Sequence, residues 1–101
     1  MAIANLIEKK WLWRSFHILT SEGVYELVYD GKGLGYEEVL VNGEVVIRMP
    51  SYWWYVPKFD FSIGNSDAQI YVEVSALMQI SFFKLVIDGI EVYSEGQSRE
   101  S

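Results

Sequence analysis

Cysteine is absent from this chain of 101 residues, and histidine occurs only once, as His17. Without cysteine the chain cannot form a disulfide framework, a thiolate metal site or a cysteine nucleophile. Zinc does not favour a site built from carboxylates alone, and His17 has no serine nucleophile signature beside it. Since no nucleophile–base pair or metal-ligand set can be assembled, we predict a protein that is not an enzyme and binds neither metal nor cofactor.

Basic residues are also scarce, with 8 Lys and Arg against 14 Asp and Glu, for a formal net charge of −6. A field of this sign repels phosphate backbones, which excludes nucleic acid as a partner. No apolar run approaches the roughly 18 residues of a membrane span, and Met1 to Lys10 has no features of a secretion signal. We therefore predict a cytoplasmic protein without a membrane partner.

Apolar residues are abundant, at 50% of the chain, and aromatic residues make up 16%. Two short turn signals organise them: Asn42-Gly43 and Asp88-Gly89, each flanked by apolar and β-branched residues. Both dipeptides accept positive φ at the two central positions of a type I′ turn, which closes a two-residue β-hairpin. They predict hairpins over residues 36–49 and 81–93.

Period-two alternation is typical of the segments between these turns. Phe59 to Ile63 alternates apolar with polar residues, and Trp11 to Thr20 predicts a strand with Leu12, Phe16 and Ile18 on one face. Regularly spaced short strands predict an all-β protein, an antiparallel β-sandwich of about seven to eight strands. We place this domain at residues 11–94, and we expect 95–101 to be a flexible polar tail.

The first ten residues have a different pattern. Ile3, Leu6 and Ile7 occur at helical spacing, which predicts either a short N-terminal helix or an arm over residues 1–10. A helix of this length is stable only when it packs against the domain.

Three stretches carry a resemblance to a known family, in matching order and spacing. They are Ser21 to Glu26, Val39 to Arg48, and Phe61-Ser62-Ile63-Gly64-Asn65 followed by Ile70 to Val74 and Leu85 to Glu91. From Trp13 to Tyr93 the chain resembles the Fas apoptosis inhibitory molecule family, whose repeats are antiparallel β-sandwiches. The resemblance implies one such repeat, where animal members have two, and a role in protein interaction and in protection against stress or aggregation.

The aromatic residues Tyr52, Trp53, Trp54 and Tyr55 form the first candidate interaction surface. Neighbouring strand residues point to opposite sides of a sheet, so the four cannot all enter one core. The segment is then an aromatic plug over an open barrel end or inter-sheet gap, a surface for a protein partner or a second copy, or a platform that stacks sugars.

Trp11 and Trp13 form the second candidate, because a spacing of two places them on one face of the predicted first strand. With Leu12, Phe16 and Ile18 on the opposite face, both faces of this strand are apolar. Such a strand is either covered on both sides or meets another subunit, which favours a homodimer.

The acidic residues give weaker signals. Glu37 and Glu38 are adjacent and therefore face opposite ways in a strand, so we expect solvated charges there. Asp60, Asn65 and Asp67 do not have calcium-loop spacing and are expected to form a turn.

The sequence thus predicts a non-enzymatic module that binds an unidentified protein partner or a second copy. The alternative is a carbohydrate-binding module in which Trp53 and Trp54 stack against sugar rings.

Overall fold

A computed structural model describes residues 2–31, 35–50 and 57–97, and within them nine antiparallel strands form two sheets. A five-stranded sheet has the order β1-β2-β3-β4-β5, and a four-stranded sheet has the order β6-β7-β8-β9. The strands are β1 (Ile3–Lys10), β2 (Trp13–Thr20), β3 (Gly23–Asp30), β4 (Tyr36–Val41), β5 (Glu44–Pro50), β6 (Lys58–Ile63), β7 (Ser66–Val74), β8 (Ile80–Ile87) and β9 (Ile90–Gly96). The all-β antiparallel prediction is confirmed, with nine strands where seven to eight were expected.

The described residues contain no helix, so of the two alternatives for the first ten residues, a short helix or an arm, the helix is wrong. Residues Ile3–Lys10 form β1, which pairs with β2 from Ile3 opposite Leu19 to Lys10 opposite Trp13. Eight residues are too few for a stable isolated helix, whereas pairing with β2 satisfies the backbone groups of both strands. Ile3 to Leu6 pair regularly with β2, and Ile7 is the extra residue of a β-bulge between Leu6 and Glu8.

Side chains from both sheets form one hydrophobic core. The Phe16 ring of β2 stacks on Phe83 of β8 with ring centroids 5.7 Å apart. Tyr29 of β3 contacts Phe59 of β6 and Phe83 at centroid distances of 5.8 and 5.7 Å. Phe16 and Ile18, predicted to share one face of the strand, are both buried, and Leu12 is also buried but from the β1–β2 turn.

Both predicted hairpin turns are confirmed. Asn42 and Gly43 have φ of 52° and 79°, and Asp88 and Gly89 have φ of 50° and 78°. Positive φ at both central residues is the geometry of the type I′ turn, which matches the twist of the flanking strands.

Two strand ends differ from the predicted domain limits. β9 continues through Glu95 to Gly96, whereas the domain was expected to end at residue 94. β2 begins only at Trp13, because Trp11 and Leu12 form the turn between β1 and β2. Nowhere in residues 2–31, 35–50 and 57–97 does the chain form a helix long and apolar enough to cross a membrane.

Candidate functional site

β1 lies at one edge of the five-stranded sheet and exposes three large apolar side chains. Ile3 and Ile7 are 56% and 54% exposed, and Leu6 is 37% exposed. An interior strand buries at least one of its faces, but β1 leaves apolar side chains accessible on both. We call Ile3, Leu6 and Ile7 the β1 surface.

The β1 surface continues across the outer face of the same sheet. Ile3 lies opposite Leu19 of β2, and Leu19 lies opposite Val24 of β3. All three side chains are exposed, and Val24 reaches 63%. Contiguous exposed apolar side chains on a soluble domain commonly indicate an interaction site.

Trp11 and Trp13 do not share a strand face, so this part of the sequence prediction is wrong. Trp11 lies in the β1–β2 turn, where its side chain is 56% exposed and adjoins the end of β1. Trp13 lies in β2 and is half-buried, with the Lys10 Nζ 5.7 Å from its ring centroid. The reason is the positive φ of Leu12, 52°, which reverses the chain between the two tryptophans and carries the Leu12 side chain into the interior.

The other predicted surface, Tyr52, Trp53, Trp54 and Tyr55, lies outside the described residues. Its three interpretations therefore stay predictions, and so does the carbohydrate-binding alternative that depends on Trp53 and Trp54.

A buried ion-pair cluster joins the two sheets beside β1. The Arg14 side chain of β2 is 5% exposed and donates from Nε and Nη2 to the two carboxylate oxygens of Glu95 in β9, at 2.5 and 3.1 Å. Arg14 Nη1 donates to the backbone carbonyls of Lys10 and Trp13 at 2.8 and 2.7 Å. Arg14 thus fixes the end of the β1–β2 hairpin to the opposite sheet.

Two further side chains contact the carboxylate of Glu95. The Tyr93 hydroxyl donates to Glu95 Oε1 at 3.0 Å, and Lys9 Nζ lies 3.2 Å from Oε2. Burial alone raises the pKa of Glu95, but the hydrogen bonds from Arg14 and Lys9 outweigh it and hold the pKa below its usual value. Burial of the phenol, together with its hydrogen bond to Glu95, raises the pKa of Tyr93 to about 12.

An open cleft of about 540 Å³ lies over this cluster. Its walls come from the β1–β2 turn, the start of β8 and the end of β9, and its lining residues include Lys9, Trp11, Gln79 and Glu95. The Arg14–Glu95 pair at the cleft is mutually satisfied, so the arrangement is suited to holding the β1–β2 hairpin against β9.

The structure separates Glu37 from Glu38 as their adjacency predicts. Glu37 is fully buried and accepts a hydrogen bond of 2.6 Å from the Tyr29 hydroxyl, so the expectation of a solvated charge is wrong there. It is buried because it lies on the same face of β4 as the core residue Val39. Glu38, on the other face, pairs with Arg48 of β5.

The remaining polar candidates are dispersed. His17 is exposed on the outer face of β2, between Asn5 and Glu26 of the flanking strands. Asn65 lies in the β6–β7 turn and donates to Glu22 at 2.7 Å. The described part of the chain contains no group of three or more His, Asp or Glu placed to hold a metal ion.

Sequence reasoning missed the Arg14 cluster. Arg14 has the same parity as the predicted inward residues Leu12 and Phe16, and an arginine on a core face requires a buried acceptor. That signal was present, but it could not identify the acceptor as Glu95, which was assigned to the polar tail.

Comparison with protein-family models, curated proteins and solved structures finds no match to this chain.

Proposed function

We propose that this protein is a non-enzymatic interaction module that binds an extended segment of a protein partner along β1. The observation that carries the proposal is the exposure of the β1 surface, an eight-residue edge strand with three accessible apolar side chains. An edge strand presents unpaired backbone donors and acceptors, and an extended segment can satisfy them by adding one strand to the sheet.

Side-chain specificity in this mode comes from the residues that flank the added strand. On the outer face this is Ile3, which would contact apolar side chains of the incoming segment and is itself opposite Leu19 of β2. The charged residues Glu8, Lys9 and Lys10 follow the bulge at Ile7 and would limit the segment to the first half of β1.

We further propose that the two sheets stack as a β-sandwich. The support is the single core to which both contribute, including the stacked rings of Phe16 and Phe83. This arrangement, with the sequence resemblance described above, supports placing the chain beside single repeats of the Fas apoptosis inhibitory molecule family. A protective role against aggregation follows if β1 captures exposed strands of unfolding proteins.

Capture from an extract of the native host, followed by mass spectrometry, tests the interaction. We compare the wild type with Ile7→Lys, because a lysine on an edge strand blocks strand addition. Ile90→Lys is the matched control, since Ile90 is similarly exposed, at 49%, but lies at the β8–β9 turn. The proposal is supported if proteins captured by the wild type are also captured by Ile90→Lys but not by Ile7→Lys. It is contradicted if the wild type and both variants capture the same proteins.

The protective role has its own test. A thermolabile client protein is heated with an equal mass of this protein, and light scatter is followed. We expect the wild type and Ile90→Lys to slow the rise in scatter and Ile7→Lys to lose this effect. No delay with the wild type would remove the protective role and leave the capture experiment unaffected.

A further inference from the structure

We propose that this protein also binds the surface of a membrane that contains anionic phospholipids, through the cleft between the β1–β2 turn and the β7–β8 loop. Apolar side chains beside the cleft would enter the lipid interface, and lysines in the cleft would contact headgroup phosphates. This activity goes beyond the proposed function, because it uses one end of the molecule and not the exposed edge of β1.

Apolar side chains project into solvent from both segments beside the cleft. In the β7–β8 loop, Leu77 is the most exposed large apolar side chain of the described residues, and Met78 beside it is also exposed. The β1–β2 turn exposes Trp11, which lines the cleft together with Gln79 of the β7–β8 loop. Tryptophan is enriched at membrane interfaces, where its ring contacts the apolar region and its N–H the polar one.

The cleft is positively charged, although the whole protein has a formal net charge of −6. Its lining residues include three basic side chains, Lys9, Lys10 and Arg14, against one acidic side chain, Glu95. Arg14 already neutralises Glu95 through two hydrogen bonds. Lys9 and Lys10 keep 56% and 53% of their side chains exposed despite their ion pairs with Glu95 and Glu8. An anionic headgroup that enters the cleft would therefore meet an excess of positive charge.

Acidic residues are concentrated at the opposite end of the molecule. That end holds the turns of the β2–β3, β4–β5, β6–β7 and β8–β9 hairpins, and Asn65 of one turn donates to Glu22 of another at 2.7 Å. These turns and the adjoining strand halves contain no Lys or Arg over residues 17–26, 39–47, 61–69 and 85–92. Their acidic residues are Glu22, Glu26, Glu44, Asp67, Asp88 and Glu91. A negatively charged surface would repel this end and orient the cleft toward itself.

A lipid surface matches the apolar and the charged features of the cleft at the same time. A small soluble anion could occupy the cleft, but it would leave Trp11, Leu77 and Met78 in water. A membrane instead places phosphates at the level of the lysines and acyl chains below them, so it covers the apolar side chains as well.

Binding at a membrane surface requires no spanning segment. The prediction of no membrane partner considered the length of apolar runs in the sequence, which bears on spanning alone. The proposed surface could not be recognised in this way, because Trp11 and Leu77 are far apart in the chain and only the fold brings their two segments to one cleft.

Cosedimentation with lipid vesicles tests the proposal. The wild type is mixed with vesicles of phosphatidylcholine alone, or of phosphatidylcholine and phosphatidylserine in equal amounts. We expect it to sediment with the phosphatidylserine vesicles and to bind the others roughly ten-fold more weakly, because the lysines contribute only at an anionic surface. High salt should release much of the bound protein, since it screens this attraction.

A lysine variant tests the role of charge. Lys10→Gln should weaken binding to the phosphatidylserine vesicles roughly five-fold, the usual contribution of one lysine near an anionic membrane. Lys84→Gln is the matched control, because it changes the net charge equally on the outer face of the four-stranded sheet, where Lys84 Nζ lies 4.6 Å from the Tyr71 ring centroid. Binding of the control should stay close to that of the wild type.

A second pair of variants tests insertion of the apolar side chains. Leu77→Ser should weaken binding roughly ten-fold, because it removes apolar surface that the lipid would cover. Val24→Ser is the matched control, since Val24 is 63% exposed but lies at the start of β3, at the acidic end. Circular dichroism verifies that all four variants are folded.

A wild type that stays in the supernatant with both kinds of vesicle would overturn the proposal, as would equal losses within either matched pair. If Leu77→Ser binds vesicles normally but fails to capture a host protein that the wild type captures, this end is a protein interface and the membrane proposal is wrong. The test of Ile7→Lys remains separate, because Ile7 does not line the cleft.

Discussion

Arg14 in β2 and Glu95 in β9 form a two-point ion pair that joins the two sheets at the side where β1 lies. The residues are 81 positions apart in the chain. The same guanidinium also holds the backbone carbonyls of Lys10 and Trp13. The contact therefore sets the position of the β1–β2 hairpin, and with it the position of the proposed interaction surface.

Arg14→Ala should destabilise the fold more than any exposed ion-pair variant. It leaves Glu95 without its main partner in a partly buried site, and breaking a buried pair costs about 3–5 kcal/mol; with Glu95 16% exposed we expect roughly 2–4 kcal/mol. Urea unfolding measures the loss. Arg48→Ala is the matched control, because Arg48 pairs with Glu38 through a side chain that is 60% exposed, and its unfolding midpoint should stay close to that of the wild type.

Equal losses for the two arginine variants would show that burial of the Arg14–Glu95 pair has no special role in stability.

The Tyr93 hydroxyl gives the protein a sensitivity to alkaline pH. Its pKa is raised from 10 to about 12 in the folded state, so folding favours the protonated phenol. The resulting stabilisation is fully present below pH 10 and is lost as the pH rises toward 12. We expect the free energy of unfolding to fall more steeply between pH 10 and 12 for the wild type than for Tyr93→Phe.

Ultraviolet titration of the folded protein provides an independent check on Tyr93. The variant should lack one phenol that ionises near pH 12 in the wild type. A variant whose stability falls as steeply as that of the wild type would contradict the assignment.

Gly96 and Gly43 both have positive φ, 72° and 79°, but their surroundings differ. A Cβ at Gly43 meets no atom within 4 Å, whereas one at Gly96 would overlap the backbone carbonyl of Ser81 and lie 3.2 Å from Phe82 Cα. Gly43→Ala should therefore cost only the left-handed backbone strain of about 1–2 kcal/mol. Gly96→Ala should cost more, because β9 must also shift away from β8.

Thermal unfolding of the two alanine variants compares these costs. The prediction is contradicted if Gly43→Ala lowers the midpoint as much as Gly96→Ala does.

Local signals explain why the hairpins could be predicted and the edge strand could not. Asn42-Gly43 and Asp88-Gly89 specify their turns through the φ preferences of two adjacent residues. The spacing of Ile3, Leu6 and Ile7 instead fits a helix, and only the pairing of β1 with β2 shows that the segment is a strand.

The ion-pair cluster could likewise not be predicted in full, because its members are far apart in the chain. The parity of Arg14 indicates an inward side chain, but its acceptor Glu95 is supplied by the far end of the chain. Glu37 was expected in solvent because its burial depends on Tyr29, a residue of the neighbouring strand, and on the opposite sheet. Sequence periodicity identifies which residues face inward, and tertiary packing decides which partners they meet there.

Met78 lies in the β7–β8 loop with φ of 60° and a side chain that is 44% exposed. The loop is held by hydrogen bonds from Ser75 N to Gln79 O at 2.7 Å and from Met78 N to Ser75 O at 2.9 Å. A left-handed conformation costs a bulky residue about 1–2 kcal/mol, and this half-exposed side chain recovers little of that by burial. Met78→Gly removes the strain and loses about 0.4–1 kcal/mol through the greater entropy of the unfolded chain, so we expect a net gain of roughly 0.5–1 kcal/mol.

Leu77→Gly is the matched control for this change, since Leu77 is 79% exposed in the same loop and does not have positive φ. It carries the same entropic penalty without relief of strain, so it should lower the free energy of unfolding. Urea unfolding at neutral pH should therefore shift the two variants in opposite directions. A Met78→Gly variant that is destabilised to the same extent as Leu77→Gly would show that the left-handed backbone at Met78 carries no strain.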